Sequence, residues 1–320
     1  MVCSCEMLPY VQQLFDTRFG IGGTWEVREC VRCGLEQLSP APTAARVKEL
    51  YERYYNFGGE SDTPYTRLRE WFFSSSLHSL WTFLDGDISF YTRKGQGRLL
   101  DIGCNEGRGL RIYARNGYDV EGLELNENAA VVARTGGFVV HTDMLETFAP
   151  AALFDVAVLS NVLEHSLDPA KMLRNVYRVL KPGGQVWISC PNSRSWLRFC
   201  FGRRWINWHV PFHIIHFSGS SLVQMLTRAG FTNVKTKQTT PSLWVASSVI
   251  AAVCARQGKP TRQLRNAFLV FGLMLVARLV LFPLLFLGNR LGRGDCLVAV
   301  ARGLEFSTGS EHLASALPSR

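Results

Sequence analysis

The sequence predicts an α/β fold built on an open parallel sheet, and three observations carry that prediction. From Gly97 onward short apolar runs alternate with segments of helical spacing. The runs RLLDI (98–102), YDVEGLE (118–124), GFVVH (137–141), FDVAVLS (154–160) and QVWIS (185–189) read as buried strands, and the segments near 108–117, 126–134 and 169–180 as the helices that cross between them. The stretch RLLDIGCNEGRGL (98–110) is a strand, a glycine turn and a helix start in direct succession.

The other elements follow in order. Residues 1–42 hold Cys3, Cys5, Cys30 and Cys33 and end in Ser39-Pro40-Ala41-Pro42, which predicts a small cysteine-rich unit and a linker. Residues 43–95 form a helical lid or linker: 43–56 has helical spacing, and Tyr65–Phe90 is rich in aromatic side chains, among them Trp71, Phe72, Phe73, Trp81 and Phe83. The core covers 96–242 and 294–304. Its later parts are a helix at Ser218–Ala229, a strand at Asn233–Gln238 and a last strand at Cys296–Ala301. Residues 243–293 are an apolar helical insertion before that last strand, and 305–320 a disordered tail.

Composition narrows the function classes. With 47% hydrophobic and 12% aromatic residues in 320, disorder is excluded as the main state. Nine cysteines, an odd number, and no basic stretch leading into an apolar run near Met1 lead to the expectation of a cytoplasmic chain or one on the cytosolic face of a membrane. The net charge of +9 is unevenly spread: Pro169–Gly294 holds eighteen lysines and arginines and no acidic residue. Such a one-sided field points to an anionic partner.

The glycine turn gains meaning from its neighbours. Gly103 and Gly107 let the backbone bend and approach a ligand closely, and a helix N-terminus favours an anion. Glu124, at the end of the second strand, stands where a carboxylate can accept both hydroxyls of a ribose. Asp143 follows the third strand within reach of an adenine amino group. A dehydrogenase fingerprint requires Gly-x-Gly-x-x-Gly, whereas glycines here fall at 103, 107 and 109.

Together the Asp-Ile-Gly-Cys-Asn-Glu-Gly loop, the acidic end of strand two, the Leu-Glu-His turn (163–165) and Lys-Pro-Gly-Gly (181–184) resemble the class I S-adenosylmethionine-dependent methyltransferases. The resemblance covers about 97–240 plus the last strand, and departs at Asn105, where many members carry glycine. It implies a Rossmann-like, seven-stranded sheet with helices on both faces and an antiparallel final strand. It further implies S-adenosylmethionine as cofactor, with Asp101, Gly103, Cys104, Asn105 and Gly107 around the methionine part and loop amides facing its carboxylate. Glu124 and Leu125 would lie at the ribose, Asp143 and Met144 beside adenine, and Asn161 and Val162 on the floor.

Methyl transfer to a hydroxyl or amine requires a proton acceptor, and histidine suits that task near neutral pH. The candidates are His165, at the end of the fourth strand, and His209, His213 and His216 in WINWHVPFHIIHFS (205–218); His165, His213 and His216 are carried forward as catalytic. For each histidine alone the competing reading is a tie from the loop to backbone carbonyls. A metal held by His209, His213 and His216 is not expected, because no nearby acid or cysteine completes the set.

Cys30-Val-Arg-Cys33 has zinc-knuckle spacing, with Cys3 and Cys5 as further thiolates for a closed structural zinc site; unligated thiols are the alternative. The surrounding run resembles an element preceding some bacterial methyltransferases of sugar, lipid or cell-surface biosynthesis, although Cys3-Ser-Cys5 is a residue shorter than the usual Cys-x-x-Cys.

The insertion contains FLVFGLMLVARLVLFPLLFL (268–287), long enough by count to span a bilayer. A single crossing would separate two strands of one sheet. The remaining expectations are a hairpin of 243–255 and 267–287 dipping into one leaflet, helices lying at the interface, or a homo-oligomer contact. Arg256, Lys259, Arg262, Arg265, Arg290 and Arg293 flank the apolar runs and suit anionic headgroups. The sequence thus predicts a methyltransferase on the membrane surface acting on a small-molecule or lipid-linked acceptor: a lipid-linked or nucleotide-linked sugar, or a quinone-like lipid. Nucleic acid is not an expected partner. A catalytically inactive membrane scaffold with the same fold is the alternative.

Overall fold

The structure, a computed structural model, describes residues 5–54 and 75–304. Cys3, the aromatic residues Trp71, Phe72 and Phe73, and the 305–320 tail lie outside the described residues. Three strands, β1 (Met7–Leu14), β2 (Trp25–Cys30) and β3 (Glu36–Ser39), precede helices α1 (Ala44–Tyr54) and α2 (Ser76–Asp85). The core continues as β4 (Arg98–Ile102), α3 (Arg108–Arg115), β5 (Asp119–Leu123), α4 (Glu127–Thr135), β6 (Val139–His141), β7 (Phe154–Ser160), α5 (Pro169–Val179) and β8 (Leu180–Pro191). After it come α6 (Trp196–Phe201), the two-residue β9 (Ile215–His216), α7 (Gly219–Arg228), β10 (Thr232–Thr239), α8 (Ser242–Cys254), α9 (Ala267–Leu279), α10 (Phe282–Arg290) and β11 (Cys296–Arg302).

Seven strands form one sheet in the order β10-β11-β8-β7-β4-β5-β6, parallel from β8 to β6, with β11 antiparallel to both neighbours. Successive residues on a strand face opposite sides, and here both sides are buried. Leu100, Ala157, Leu159, Val186, Ile188 and Leu297 join Leu173 and Val176 of α5 and Leu222 and Leu226 of α7 in one cluster. Leu99, Val156, Val158, Trp187 and Val298 join Tyr113 of α3 and Phe90, which precedes β4, in another. Helix starts are fixed locally: the Asp168 carboxylate accepts from the Lys171 amide with Pro169 in the first turn, and Ser218 and Ser221 form a capping box at α7.

Lys181-Pro-Gly-Gly lies inside a core strand rather than ahead of it, since β8 already begins at Leu180, opposite Phe154. The glycines are absorbed as a register shift between Phe154 and Val156, with Gly183 at φ 73°.

A second, antiparallel sheet has the order β1-β2-β3-β9. Its fourth strand comes from the 205–218 stretch, with Glu36 opposite His216. Leu14, Val27 and Leu38 share a cluster with Trp205, Trp208 and Val210, and buried Glu36 pairs with Arg198 at 2.8 Å. The separate unit expected over 1–42 is therefore built into the wall of the core. Its Cys5, Cys30 and Cys33 are not gathered into a ligand group among the described residues, where the only such trio is Glu164, His165 and His213.

In the insertion α8 is buried along Val245, Ala246, Ile250 and Ala251. It is thus a packing helix, which corrects the expected leaflet-dipping hairpin of 243–255 with 267–287. No single helix among the described residues is long and apolar enough to cross a membrane, and α9 and α10 meet at a 68° bend. The strands on either side pair with each other from Thr239↔Cys296 to Thr232↔Arg302, so both ends of the insertion return to one sheet.

Candidate functional site

The carboxyl ends of β4, β5, β6 and β7 lie side by side, and each of the loops leaving them carries sequence-predicted residues. The β4 turn needs positive φ at Gly103 (73°), Asn105 (54°) and Gly107 (77°); asparagine is among the few non-glycine residues that tolerate this conformation, so Asn105 keeps the turn's shape. At Gly103 space matters as well, because an added Cβ would stand 2.8 Å from Val162 Cγ2. That contact sets the β4 turn against the β7 exit. Glu124 points at the same turn: its Oε2 accepts from the Asn105 amide at 3.0 Å and its Oε1 from the Asn126 amide at 2.9 Å. Gly103 and Asn105 are exposed and Glu124 is half-buried, so the rim is open.

Two expectations are corrected here. The amides of Gly103 and Cys104 donate to the Leu123 carbonyl, that of Asn105 to Glu124 and that of Gly107 to the Cys104 carbonyl. These loop amides are committed to the protein rather than turned toward a ligand carboxylate. The Cys104 side chain is buried with Leu110, Ala130, Ala133 and Val140, so the residue offers the crevice only its backbone.

Asp101 is the electrostatic centre of this end. Burial, then the negative charge of Glu124, pushes its carboxyl up to about 8, and no basic side chain of the described residues pairs with it. A buried acid without a countercharge favours a cationic ligand. Tyr91, absent from the sequence prediction, lies in the same field: burial and then Asp101 push its hydroxyl up to about 12. Asp143, Met144 and Leu125 are exposed beyond β6 and β5. Asn161 adopts φ 56° and its Oδ1 is buried with no hydrogen-bond partner, a second unmet polar atom at the β7 exit.

The histidines gather beside that exit. His165 closes a short 3₁₀ turn (Leu163–His165), its ring 4.7 Å from that of His213 and 6.3 Å from that of His209. His165 Nδ1 lies 3.0 Å from the Phe212 carbonyl and His213 Nδ1 2.8 Å from that of Asn207. A carbonyl only accepts, so both rings carry the proton on Nδ1 and leave Nε2 as an acceptor. The tie to backbone carbonyls therefore holds for both. His209, His213 and His216 are buried, and only His165 keeps partial exposure. Burial pushes His165 down to about 4 and His213 well below its ordinary value, so both stay neutral at pH 7.

His216 belongs to β9, with its ring 5.1 Å from Trp208 and its Nε2 buried without a hydrogen-bond partner. Its packing removes it from the catalytic candidates. Glu164 corrects the expectation that no acid stands near the histidines: it is 1% exposed, its Oε1 is 4.0 Å from His213 Nε2, and burial pushes it up to about 8. Both its oxygens lack hydrogen bonds. Tyr51 of α1 and Phe212 pack edge-on beside His165, with Phe19 and Tyr54 next to them, giving this end an aromatic wall. The signal for Glu164 was present in Leu-Glu-His; the helical spacing of 43–56 gave no sign of where Tyr51 would dock.

A family model described as a methyltransferase domain matches residues 73–236. The ubiquinone biosynthesis O-methyltransferase of Pectobacterium atrosepticum is 27% identical over 177 residues, covering 48% of this chain and 73% of that protein. A probable S-adenosylmethionine-dependent methyltransferase of Mycolicibacterium smegmatis is 35% identical over 137 residues, 42% of this chain and 51% of that one. Among solved structures the [4+2]-cyclase SpnF matches at a TM-score of 0.50 and 18% identity, over 83% of this chain and 98% of that chain, a likeness of fold alone.

Proposed function

Because the chain belongs to the class I S-adenosylmethionine-dependent methyltransferases, we propose that it methylates a hydroxyl of an aromatic, quinone-like small molecule. The observation that carries this reading is the pairing of β4, which ends by the buried acid Asp101, with β7, whose exit packs on the Gly103 turn through Val162 and leads to a neutral, partly exposed His165 flanked by aromatic rings. S-adenosylmethionine supplies a methyl group on a positively charged sulfur. Asp101 and Asn161 Oδ1 meet positive or donor groups at the β4 and β7 ends, and Glu124 accepts from a ribose while holding the Asn105 amide. His165 Nε2 takes the proton that leaves the acceptor hydroxyl, while Nδ1–H holds the ring on Phe212. Tyr51 and Phe212 orient a planar ring by edge contacts.

Support for the acceptor class comes from the aromatic wall and from relatives named for ubiquinone biosynthesis. The test is a transfer assay with methyl-labelled cofactor and a prenylated catechol in detergent micelles. Label in the catechol methyl ether is the expected result. Cofactor binding by calorimetry without any transfer to catechols would reject the acceptor and leave the family assignment standing.

A further inference from the structure

We propose that α9 and α10 form a docking surface for an anionic lipid leaflet and lie in its plane. This inference does not depend on which acceptor is methylated. Its starting point is the orientation of α9. Val270, Leu273, Met274, Ala277 and Arg278 fall at helical spacing on the side turned toward the fold, while Phe268, Phe271, Val276 and Leu279 are on the exposed side. Phe268 is 92% exposed and Leu279 78%, values expected of a loop lysine rather than of a helix as apolar as α9. The exposed side continues onto α10 through Phe282, Leu284, Phe286 and Leu287. Contiguous apolar exposure on this scale marks an interaction site.

Arg278 decides what that face can meet. In the sequence it interrupts the apolar run, but its guanidinium is turned inward: it pairs with Asp85 of α2 at 2.6 Å and donates to the Thr240 carbonyl at 2.7 Å. The only charge within α9 is therefore neutralised behind the helix, and the outward face is apolar throughout. Ala277 and Leu285 pack with Val245 of α8, fixing both helices to the fold.

The rim supplies the charge. Arg256, Lys259, Arg262 and Arg265 lie between α8 and α9, and Arg290 and Arg293 at the far end; all six are exposed. The first four make no ion pair among the described residues, and no acid occurs from Pro169 to Gly294. An apolar strip with exposed cations at both ends matches a leaflet that offers acyl chains below and anionic headgroups above. A second copy of the chain fits less well, since a two-fold contact would lay this cationic rim against itself. At 1.5 Å per residue the thirteen residues of α9 reach about 20 Å, short of the roughly 30 Å hydrocarbon core. With a 68° bend following, the pair suits a position along the surface.

The experiment is flotation of the full chain with vesicles of phosphatidylcholine alone or of phosphatidylcholine with phosphatidylglycerol. The expected result is co-flotation with the anionic vesicles, weaker with the neutral ones and weaker again in high salt. The double variant Phe268→Ser/Leu279→Ser should stay with the soluble fraction. Arg262→Glu/Arg265→Glu should partition on the order of tenfold or more weakly onto anionic vesicles, at about fivefold per cation removed. Calorimetry with S-adenosylmethionine shows that both variants are folded. The proposal is overturned if the full chain ignores anionic vesicles or if both variants float as it does. It is equally overturned if light scattering finds a dimer that Phe268→Ser/Leu279→Ser converts to monomer while flotation is unchanged.

Discussion

The glycine turn after β4 and the histidine-rich stretch 205–218 were equally prominent in the sequence, yet they stand in opposite environments. In the turn, Gly103 and Asn105 are exposed and held by Glu124; in the stretch, His209, His213 and His216 are 3%, 5% and 2% exposed. The turn places its residues by backbone conformation, which glycine spacing encodes directly. The stretch places its residues by packing against β3, Trp208 and α1, which spacing does not encode. Of the four histidines, only His165, in the 3₁₀ turn that follows β7, keeps partial exposure.

The sharpest way to break this contrast is His165→Ala. If its Nε2 takes the acceptor proton, the turnover number should fall about 10²- to 10⁴-fold while cofactor affinity stays unchanged. Calorimetry and steady-state rates on the same preparation separate the two. Undiminished turnover would move the base elsewhere and return His165 to the buried class. Next in size is Glu124→Ala, which removes the acceptor for the Asn105 amide and for ribose. Charge-assisted hydrogen bonds contribute about 1.5–3 kcal/mol each, so cofactor affinity should drop about a hundredfold, read as the calorimetric Kd.

The difference between the two regions also explains how much was legible. The succession of core strands and helices and the glycine turn beside Glu124 were readable because each follows from local patterns: buried runs, turn glycines and an acid at a strand end; the antiparallel β11 and the place of Val162 came with the family resemblance. What escaped depends on contacts between distant segments. The pairing of β3 with β9 joins residues 36 and 216, and the inward turn of Arg278 depends on Asp85. The place of Glu164 beside His213 likewise depends on the fold, which buries it against a residue distant in the chain.

A third test uses pH to probe the turn region. Asp101 holds its proton up to about pH 8 in the free protein, and a cationic ligand favours the ionised form. Below that value binding must displace the proton, so affinity should weaken by about tenfold per unit as pH falls from about 8, levelling off at the carboxyl's bound-state pKa. The sign for folding is opposite: a carboxyl raised from 3.8 favours the folded chain at low pH, and that contribution is lost as pH rises toward 8. Asp101→Asn should remove both slopes, with titrations at several pH values as the measurement.

The smallest effect is expected at His216, where the contrast can be refined rather than broken. Its ring packs on Trp208, but its Nε2 is buried without a hydrogen-bond partner, and burial, then the Arg198 charge, pushes it down to about 3. A buried unpaired nitrogen costs about 1–3 kcal/mol, whereas the ring around it contributes packing. His216→Phe keeps a ring in place and removes the nitrogen, so Tm near neutral pH should hold or rise by a few degrees, with turnover and cofactor affinity unchanged. The acid side gives the discriminating sign. An imidazole with a folded pKa of about 3 and an ordinary unfolded one destabilises the fold as pH drops below about 6.5, and His216→Phe should flatten that part of the Tm profile. Loss of turnover in a variant that keeps its Tm would show that the buried stretch takes part in the chemistry, because packing alone has no route to that result.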